Sequence, residues 1–211
     1  FMGIPYLLTQ YIQNSYLSNS IINDDLIFNL IAGLIRMSLF ICYLYFLSYL
    51  SDIKRLFQYH GAEHKVVYNF ESGQELTINN ASYFSTKHPR CGTSFVFILM
   101  LVTILTYSVT DSCISILFHY EFSILTRILI HLLFLPLIAG LGYEVLKFLS
   151  TKQHILFFRI LSTPGLWLQN ITTSEPTKNQ LEVSIKALKS AFGDEKIKTF
   201  EGKQFNADAI G

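Results

Sequence analysis

Charged side chains are scarce in this sequence of 211 residues. Asp, Glu, Lys and Arg make up 15% of it, against about 25% in an average soluble domain, and 51% of the residues are apolar. So little charge cannot cover a globular surface, which excludes a free-standing soluble monomer and an intrinsically disordered chain. The formal net charge of +1 gives no basis for binding nucleic acid, which requires a basic surface.

Cysteine is also rare, and no signal peptide is evident. The three cysteines, Cys42, Cys91 and Cys113, are odd in number and widely spaced, which excludes a disulfide framework. No positively charged segment precedes an apolar run, so no cleavable signal peptide is predicted. The chain begins at Phe1 rather than Met, as expected of a fragment or of a chain that starts inside a longer product.

Three long apolar runs dominate the sequence. They cover residues 26–50, 93–110 and 124–149, and about 20 apolar residues suffice for a helix to cross a bilayer. The sequence therefore predicts an all-α, polytopic membrane protein with about three transmembrane helices. Residues 154–168 are apolar but short, and Pro164–Gly165 is expected to break them, which predicts an interfacial or re-entrant segment.

The predicted organisation has three consecutive parts: a short apolar or interfacial segment at 1–25, a membrane bundle at 26–169, and a soluble tail at 170–211. In the tail, Thr177–Gln180 reads as a capping box that opens a helix. Apolar residues then recur at helical spacing, which predicts a short amphipathic helix. They are Leu181, Ile185, Leu188 and Phe192. Residues 193–211 are polar and expected to be loosely ordered.

Basic residues orient the predicted helices. The loop 51–92 contains five Lys or Arg, and nine more follow residue 144, whereas the first 35 residues and the loop 111–123 have none. The positive-inside rule places the loop 51–92 and the C-terminus on the cytoplasmic or stromal side. An integral protein of a bacterial inner membrane or a plastid membrane is expected. The lipid bilayer is its predicted partner, and a membrane-protein or lipid-linked partner and an oligomer are compatible with the sequence.

Two charges fall inside the apolar runs. Arg36, an additional candidate site residue, is the one charge of the first run. A central arginine costs about 2.5–3.5 kcal/mol, so it must face protein or water or reach the interface. Glu144 lies in the last turns of the third run, and an acidic residue in a span is a candidate site residue. The alternative for Glu144 is an ion pair with Lys147 or Arg36.

The motif His60-Gly-Ala-Glu63-His64 carries the strongest chemical signal. If the segment is helical, positions i, i+3 and i+4 share one face, so two imidazoles can bind one metal ion. This is the H-x-x-E-H order of the inverted zincins, in which the glutamate is the general base for a water at the metal. The alternative is two surface histidines on a helix just past a membrane span.

A second group, His88-Pro-Arg90-Cys91, precedes the second apolar run. His88 and Cys91 are good zinc ligands, although a buried free thiol in an ordinary loop is the alternative. Arg90 is a candidate for binding phosphate or carboxylate, or a basic residue that marks a cytoplasmic helix end. Glu71 and Glu75 are further candidates from the same loop, with a solvated turn as the alternative.

The predicted topology brings these groups to one membrane face. The sequence therefore predicts a shared site for a divalent metal, zinc by its ligand types. The predicted ligands are His60, His64, Glu144, His88 and Cys91, with Glu63 as general base.

Several longer motifs are similar to those of one bacterial family. The segments Phe57–Lys65, His88–Phe95 and Pro164–Gln169, with Asn29–Arg36 and Gly142–Glu144, resemble the YqhQ-like family, a domain of unknown function numbered 1385. The resemblance implies a polytopic membrane protein of the kind often labelled a predicted metal-dependent enzyme, with no established reaction. The family pattern opens with a glycine-rich stretch that this sequence lacks, which implies a truncated chain or a shortened member.

Two main classes of function follow, and a transporter, which would need oligomers because three spans are few, is a third and lesser option. The first is a metal-dependent hydrolase acting on a membrane-associated peptide or a lipid-linked substrate. The second is a non-enzymatic scaffold, an insertion or quality-control factor, or a regulator that holds a structural metal. The number of protein ligands separates them, because structural zinc sites are closed by four ligands and catalytic sites keep one position open.

Overall fold

The computed structural model describes residues 3–16, 25–118 and 124–204, and within these ranges the chain is helical, with no strand. The all-α fold class is thereby confirmed. The helices are α1 Gly3–Tyr16, α2 Asp25–Leu47, α3 Ser51–Glu71, α4 Ile78–Ser82, α5 Gly92–Phe118, α6 Ile124–Thr151, α7 Leu156–Thr172, α8 Lys178–Phe192 and α9 Asp194–Lys198.

Three of these helices are long and apolar enough to cross a membrane, as predicted. They are Ile27–Leu47 in α2, Gly92–Leu117 in α5 and Leu125–Thr151 in α6. At most 33% of the most apolar stretch of each is buried inside the chain. Their apolar side chains therefore face outward, as expected of surfaces covered by lipid rather than water.

The chain divides into two compact units, each built from segments that are distant in sequence. The first consists of Phe1–Tyr43 and Gly92–Gly165, and the second of Leu44–Cys91 and Leu166–Gly211. The first unit contains the three candidate spans. The second contains the H-x-x-E-H motif and the amphipathic C-terminal helix. The division into three consecutive parts at 1–25, 26–169 and 170–211, which the sequence predicted, stays a prediction.

In the first unit, a buried polar group links the three spans. Asp111 is fully buried on α5 and accepts hydrogen bonds from Asn29 of α2 and His131 of α6, each at 2.9 Å. Arg127 of α6 forms an ion pair with the same carboxylate at 3.4 Å. Tyr107 donates to the backbone carbonyl of His131 at 2.7 Å. Interhelical hydrogen bonds of this kind hold membrane helices together where lipid gives no hydrophobic driving force.

The second unit has a small apolar core between α3 and α8. Buried residues of α3, including Val66 and Phe70, pack against Leu181 and Ile185 of α8. The predicted capping box is present, because Thr177 accepts from the Gln180 backbone and the Gln180 side chain accepts from the Thr177 backbone. The amphipathic C-terminal helix is thereby confirmed.

Two local predictions were wrong. Residues 154–168 are not broken at Pro164–Gly165, because α7 continues through both residues. Gly165 lies where a Cβ would be 3.1 Å from the Ser94 side chain, so the glycine allows close packing rather than ending the helix. Residues 194–198 are also not loose, because they form α9, where Ile197 is buried in the core of the second unit.

Candidate metal centre

The H-x-x-E-H motif lies in the middle of α3, which confirms the helical spacing on which the metal prediction depends. His60 and His64 are one turn apart, and their ring centroids are separated by 4.5 Å. His64 is buried and His60 is half-buried. The two imidazoles therefore share one face of the helix.

Both imidazoles are oriented by backbone carbonyl groups. Nδ1 of His60 lies 2.8 Å from the carbonyl oxygen of Thr172, and Nδ1 of His64 lies 2.5 Å from that of Thr86. A carbonyl oxygen only accepts, so each Nδ1 carries the proton and donates it. The lone pair then lies on Nε2, the atom that can bind a metal. Metal-binding histidines are usually oriented in this way through their second ring nitrogen.

The sulfur of Cys91 completes the group. Sγ lies 3.1 Å from Nε2 of His60, and Cys91 is buried. The ligand atoms of His60, His64 and Cys91 all lie within 4.8 Å of one another. Zinc bonds of about 2.0–2.3 Å require the three ligand atoms to lie closer together than 4.8 Å. The three side chains would therefore have to move slightly inward to bind an ion. The hydrogen bond with Cys91 raises the pKa of His60, although burial opposes the shift.

Gly61, the glycine within the motif, allows the segment that follows α7 to approach α3 closely. A Cβ on Gly61 would lie 2.2 Å from the backbone oxygen of Ser174. In the same place, the Ser174 N–H donates to the carbonyl of Phe57 at 2.9 Å. Only a residue without a side chain permits this contact. The contact brings the end of α7, with the Thr172 carbonyl, next to His60.

Gln169 of α7 holds the turn that carries Cys91. Its fully buried side chain accepts the backbone N–H of His88 at 2.7 Å and donates to the backbone carbonyl of His88 at 2.8 Å. The Cys91 N–H closes the turn on the same carbonyl at 3.3 Å. Sequence reasoning gave Gln169 no role. Its position in an apolar segment could have indicated a structural role, because a buried side-chain amide needs hydrogen-bond partners.

His88 is near the three converging residues but uses its nitrogens elsewhere. Nδ1 accepts from the backbone N–H of Arg90 at 3.3 Å, and Nε2 lies 3.6 Å from the carboxylate of Glu71. Its ring centroid is 5.7 Å from that of His64. To bind a metal, His88 would have to give up one of these contacts. Its role as a ligand stays a prediction.

Glu71 and Arg90 form a partly buried ion pair beside this group. Burial disfavours the charged carboxylate of Glu71 and is the largest single influence on it. The contact with His88 and the charge of Arg90 together outweigh burial and lower the Glu71 pKa. Arg90 is thus engaged by a carboxylate of its own chain, which leaves its predicted role in binding an external phosphate untested.

The remaining candidates do not belong to the group formed by His60, His64 and Cys91. Glu63 is exposed on α3, and its charge contributes to raising the pKa of His60. Glu75 is exposed, and its backbone carbonyl accepts hydrogen bonds from two asparagine side chains. Glu144 and Arg36 belong to the first unit. Among the residues described, neither forms an ion pair. The roles predicted for these four residues stay predictions.

The fold and this group of side chains define a class of protein: a helical protein with three membrane-type helices and a partly buried Cys-His-His group that could hold a metal. The chain belongs to the family described as "Protein of unknown function (DUF1385)", whose model matches residues 1–194. The family resemblance seen in the sequence motifs is thereby confirmed.

One relative can be compared directly. The chain is 35% identical over 157 residues to the "Uncharacterized protein YqhQ" of Bacillus subtilis (strain 168). The match covers 74% of this chain and 46% of that protein, so the chain spans about half the length of the relative. No solved structure matches the chain.

Proposed function

We propose that this chain is a membrane-embedded zinc protein whose ligands are Nε2 of His60, Nε2 of His64 and Sγ of Cys91. The observation that supports this most strongly is the pair of backbone contacts at Nδ1. They leave the lone pair of each imidazole on Nε2, and Nε2 of His60 lies 3.1 Å from the Cys91 sulfur. Imidazole and thiolate together are ligands that suit zinc better than magnesium or calcium.

The proposed activity is hydrolysis of a membrane-associated peptide or a lipid-linked substrate. Three converging protein ligands leave a fourth position for water or substrate, which is the arrangement of catalytic rather than structural zinc sites. A bound zinc ion supplies Lewis acidity that activates water. Glu63 lies within one turn of both histidines on α3, and its charge acts on His60. Its carboxylate is therefore the proposed base that accepts the proton of the attacking water and releases it to solvent.

The proposed setting is a bacterial inner membrane or a plastid membrane. Most of the basic residues lie in the segment 51–92 and after residue 144. The positive-inside rule favours a cytoplasmic or stromal position for these segments. Three membrane-type helices support the lipid bilayer as the environment of the chain. A substrate anchored in the same bilayer would reach such a site by lateral diffusion.

A structural metal is the second candidate. His64 is 5% exposed and Cys91 is 4% exposed, and an ion bound there would fasten α3 to the turn at 88–91. In that case the chain would be a scaffold, an insertion or quality-control factor, or a regulator. A fourth protein ligand would favour this function, because four ligands close a zinc site.

The first experiment measures metal in the full chain, purified in mild detergent without chelators, by mass spectrometry. We expect about one zinc ion per chain, lost in His64→Ala and reduced in Cys91→Ser. His154→Ala is the matched control, because His154 is exposed and lies outside the converging group. Absence of bound metal in the unsubstituted chain would contradict the proposal.

The second experiment separates catalysis from structure. The metal-loaded chain is placed in liposomes with a fluorescently labelled lipopeptide, and release of the label is followed. Glu63→Gln should abolish release while zinc content stays unchanged. Unchanged release in Glu63→Gln would remove Glu63 from the mechanism, and bound zinc without any release would favour the structural role.

A further inference from the structure

Two opposite charges in the spans of the first unit have no ion-pair partner within the described part of the chain. Arg36 is half-buried in the span Ile27–Leu47, and its buried Nε donates no hydrogen bond. Glu144 is exposed in the span Leu125–Thr151. Among the residues that the structure describes, neither has a countercharge, whereas Asp111 in the same unit forms an ion pair with Arg127. Charged side chains within a membrane are almost always paired or face water, so each of the two charges needs a partner or contact with water.

The face of α6 that carries Glu144 is open. Gly140 precedes Glu144 by one turn and is exposed, and a Cβ built on it would meet nothing within 4 Å. Gly142, by contrast, lies against α5, where a Cβ would be 3.3 Å from Leu99. The face of Gly140 and Glu144 therefore makes no close helix contact within the described chain. A small residue on such a face lets another helix approach closely.

The two charges also lie at compatible depths. One span separates α2 from α6 along the chain, so the two helices cross the bilayer in the same direction. Arg36 lies about 11 residues before the end of its span and Glu144 about 7, that is, about 16 and about 10 Å from the same membrane face. The long side chain of arginine can cover that difference by extending toward the interface.

We propose that the face of Gly140 and Glu144 binds a second copy of this chain, and that Arg36 of one copy pairs with Glu144 of the partner subunit. In a twofold-symmetric dimer the reverse pair forms as well, so each copy supplies both charges. Charge complementarity selects a second copy as the occupant, because one interface then neutralises both unpaired groups. The inference does not depend on the proposed metal site.

The test uses two differently tagged full-length copies that are expressed together, solubilised in mild detergent and purified through one tag. Recovery of the second tag measures association. Arg36→Glu in both copies places like charges opposite each other, and so does Glu144→Arg in both copies. Each should lower recovery by about tenfold or more. Lys178→Glu is the control, because Lys178 is exposed on α8, outside the three spans, and should leave recovery unchanged.

The decisive sample combines one copy carrying Arg36→Glu with one copy carrying Glu144→Arg. Both intermolecular pairs are then opposite in sign again, so recovery should return, although each substitution alone prevents association. Pairing within one chain could not produce this result. Glu144→Gln removes a charge without adding repulsion, so it is a milder variant in case a charge reversal prevents folding. Circular dichroism measures the helix content of every variant.

Three results would each overturn the proposal. The first is that unsubstituted copies do not co-purify. The second is that the well-folded reversals or Glu144→Gln leave recovery unchanged. The third is that the mixed sample stays dissociated while both of its chains are folded.

Discussion

The side-chain amide of Gln169 bonds to both polar groups of the His88 backbone, at 2.7 Å to the N–H and 2.8 Å to the carbonyl. One residue of α7 therefore sets the position of the turn that ends at Cys91. Three residues later in α7, the carbonyl of Thr172 orients His60. A single turn of helix thus positions two of the three proposed metal ligands, although neither residue would contact the ion.

Replacing Gln169 should weaken zinc binding without removing a ligand. Gln169→Leu loses both hydrogen bonds to His88 and leaves the buried His88 N–H without its acceptor, while the His88 carbonyl keeps the hydrogen bond from Cys91. Loss of such supporting contacts typically lowers metal affinity by about 10–100-fold, measured here by competition with a fluorescent zinc chelator. Gln74→Leu is the control because Gln74 is exposed. Equal zinc affinity in Gln169→Leu and the unsubstituted chain would show that the turn holds its position without the amide.

Gly61→Ala should destabilise the second unit. The added methyl group would lie 2.2 Å from the Ser174 backbone oxygen, and overpacking of this kind costs about 1–3 kcal/mol in the free energy of unfolding. The displaced segment includes the Thr172 carbonyl, so zinc affinity should fall as well. Gly92→Ala is the matched control, because a Cβ on Gly92 meets nothing within 4 Å. Thermal unfolding checks the prediction, and equal midpoints for the two variants would contradict it.

The Glu71–Arg90 ion pair should show measurable coupling in a double-mutant cycle. Its side chains are 9% and 22% exposed, so solvent screens the pair only in part. Combining Glu71→Gln with Arg90→Gln should give a coupling energy of about 1 kcal/mol or more. The exposed pair Lys186–Glu182, at 73% and 49%, is the control, where about 0.3–0.5 kcal/mol is expected. Chemical unfolding of each variant provides the energies, and equal coupling in the two pairs would contradict the prediction.

Asp111→Ala should strongly destabilise the first unit. The substitution removes the carboxylate that accepts hydrogen bonds from Asn29 and His131 and forms an ion pair with Arg127. Breaking a buried charge pair in this way costs about 3–5 kcal/mol. The measurement is unfolding of the detergent-solubilised chain, with the exposed Asp52→Ala as control. A loss of unfolding free energy no larger than that of Asp52→Ala would show that the three spans associate without the Asp111 group.

Features that depend on nearby residues could be predicted from the sequence. The three apolar runs predicted the three membrane-type helices, because length and composition alone decide whether a helix can cross a bilayer. The capping box at Thr177 and Gln180 predicted the start of α8. The predicted break at Pro164–Gly165 was wrong, because tight packing against Ser94 outweighs the local tendency of proline and glycine to break a helix.

The sequence by itself determined the helical class, the candidate spans, and the placement of His60 and His64 on one face, since periodicity and spacing are local properties. Only the tertiary structure decided which other groups meet these histidines. Cys91 contacts His60 from 31 residues away in the sequence. Thr172 contacts the same histidine from 112 residues away. It also decided that Arg36 and Glu144 remain unpaired within the described chain. Such contacts depend on how helices pack, and packing is set by burial of many side chains at once rather than by any local pattern.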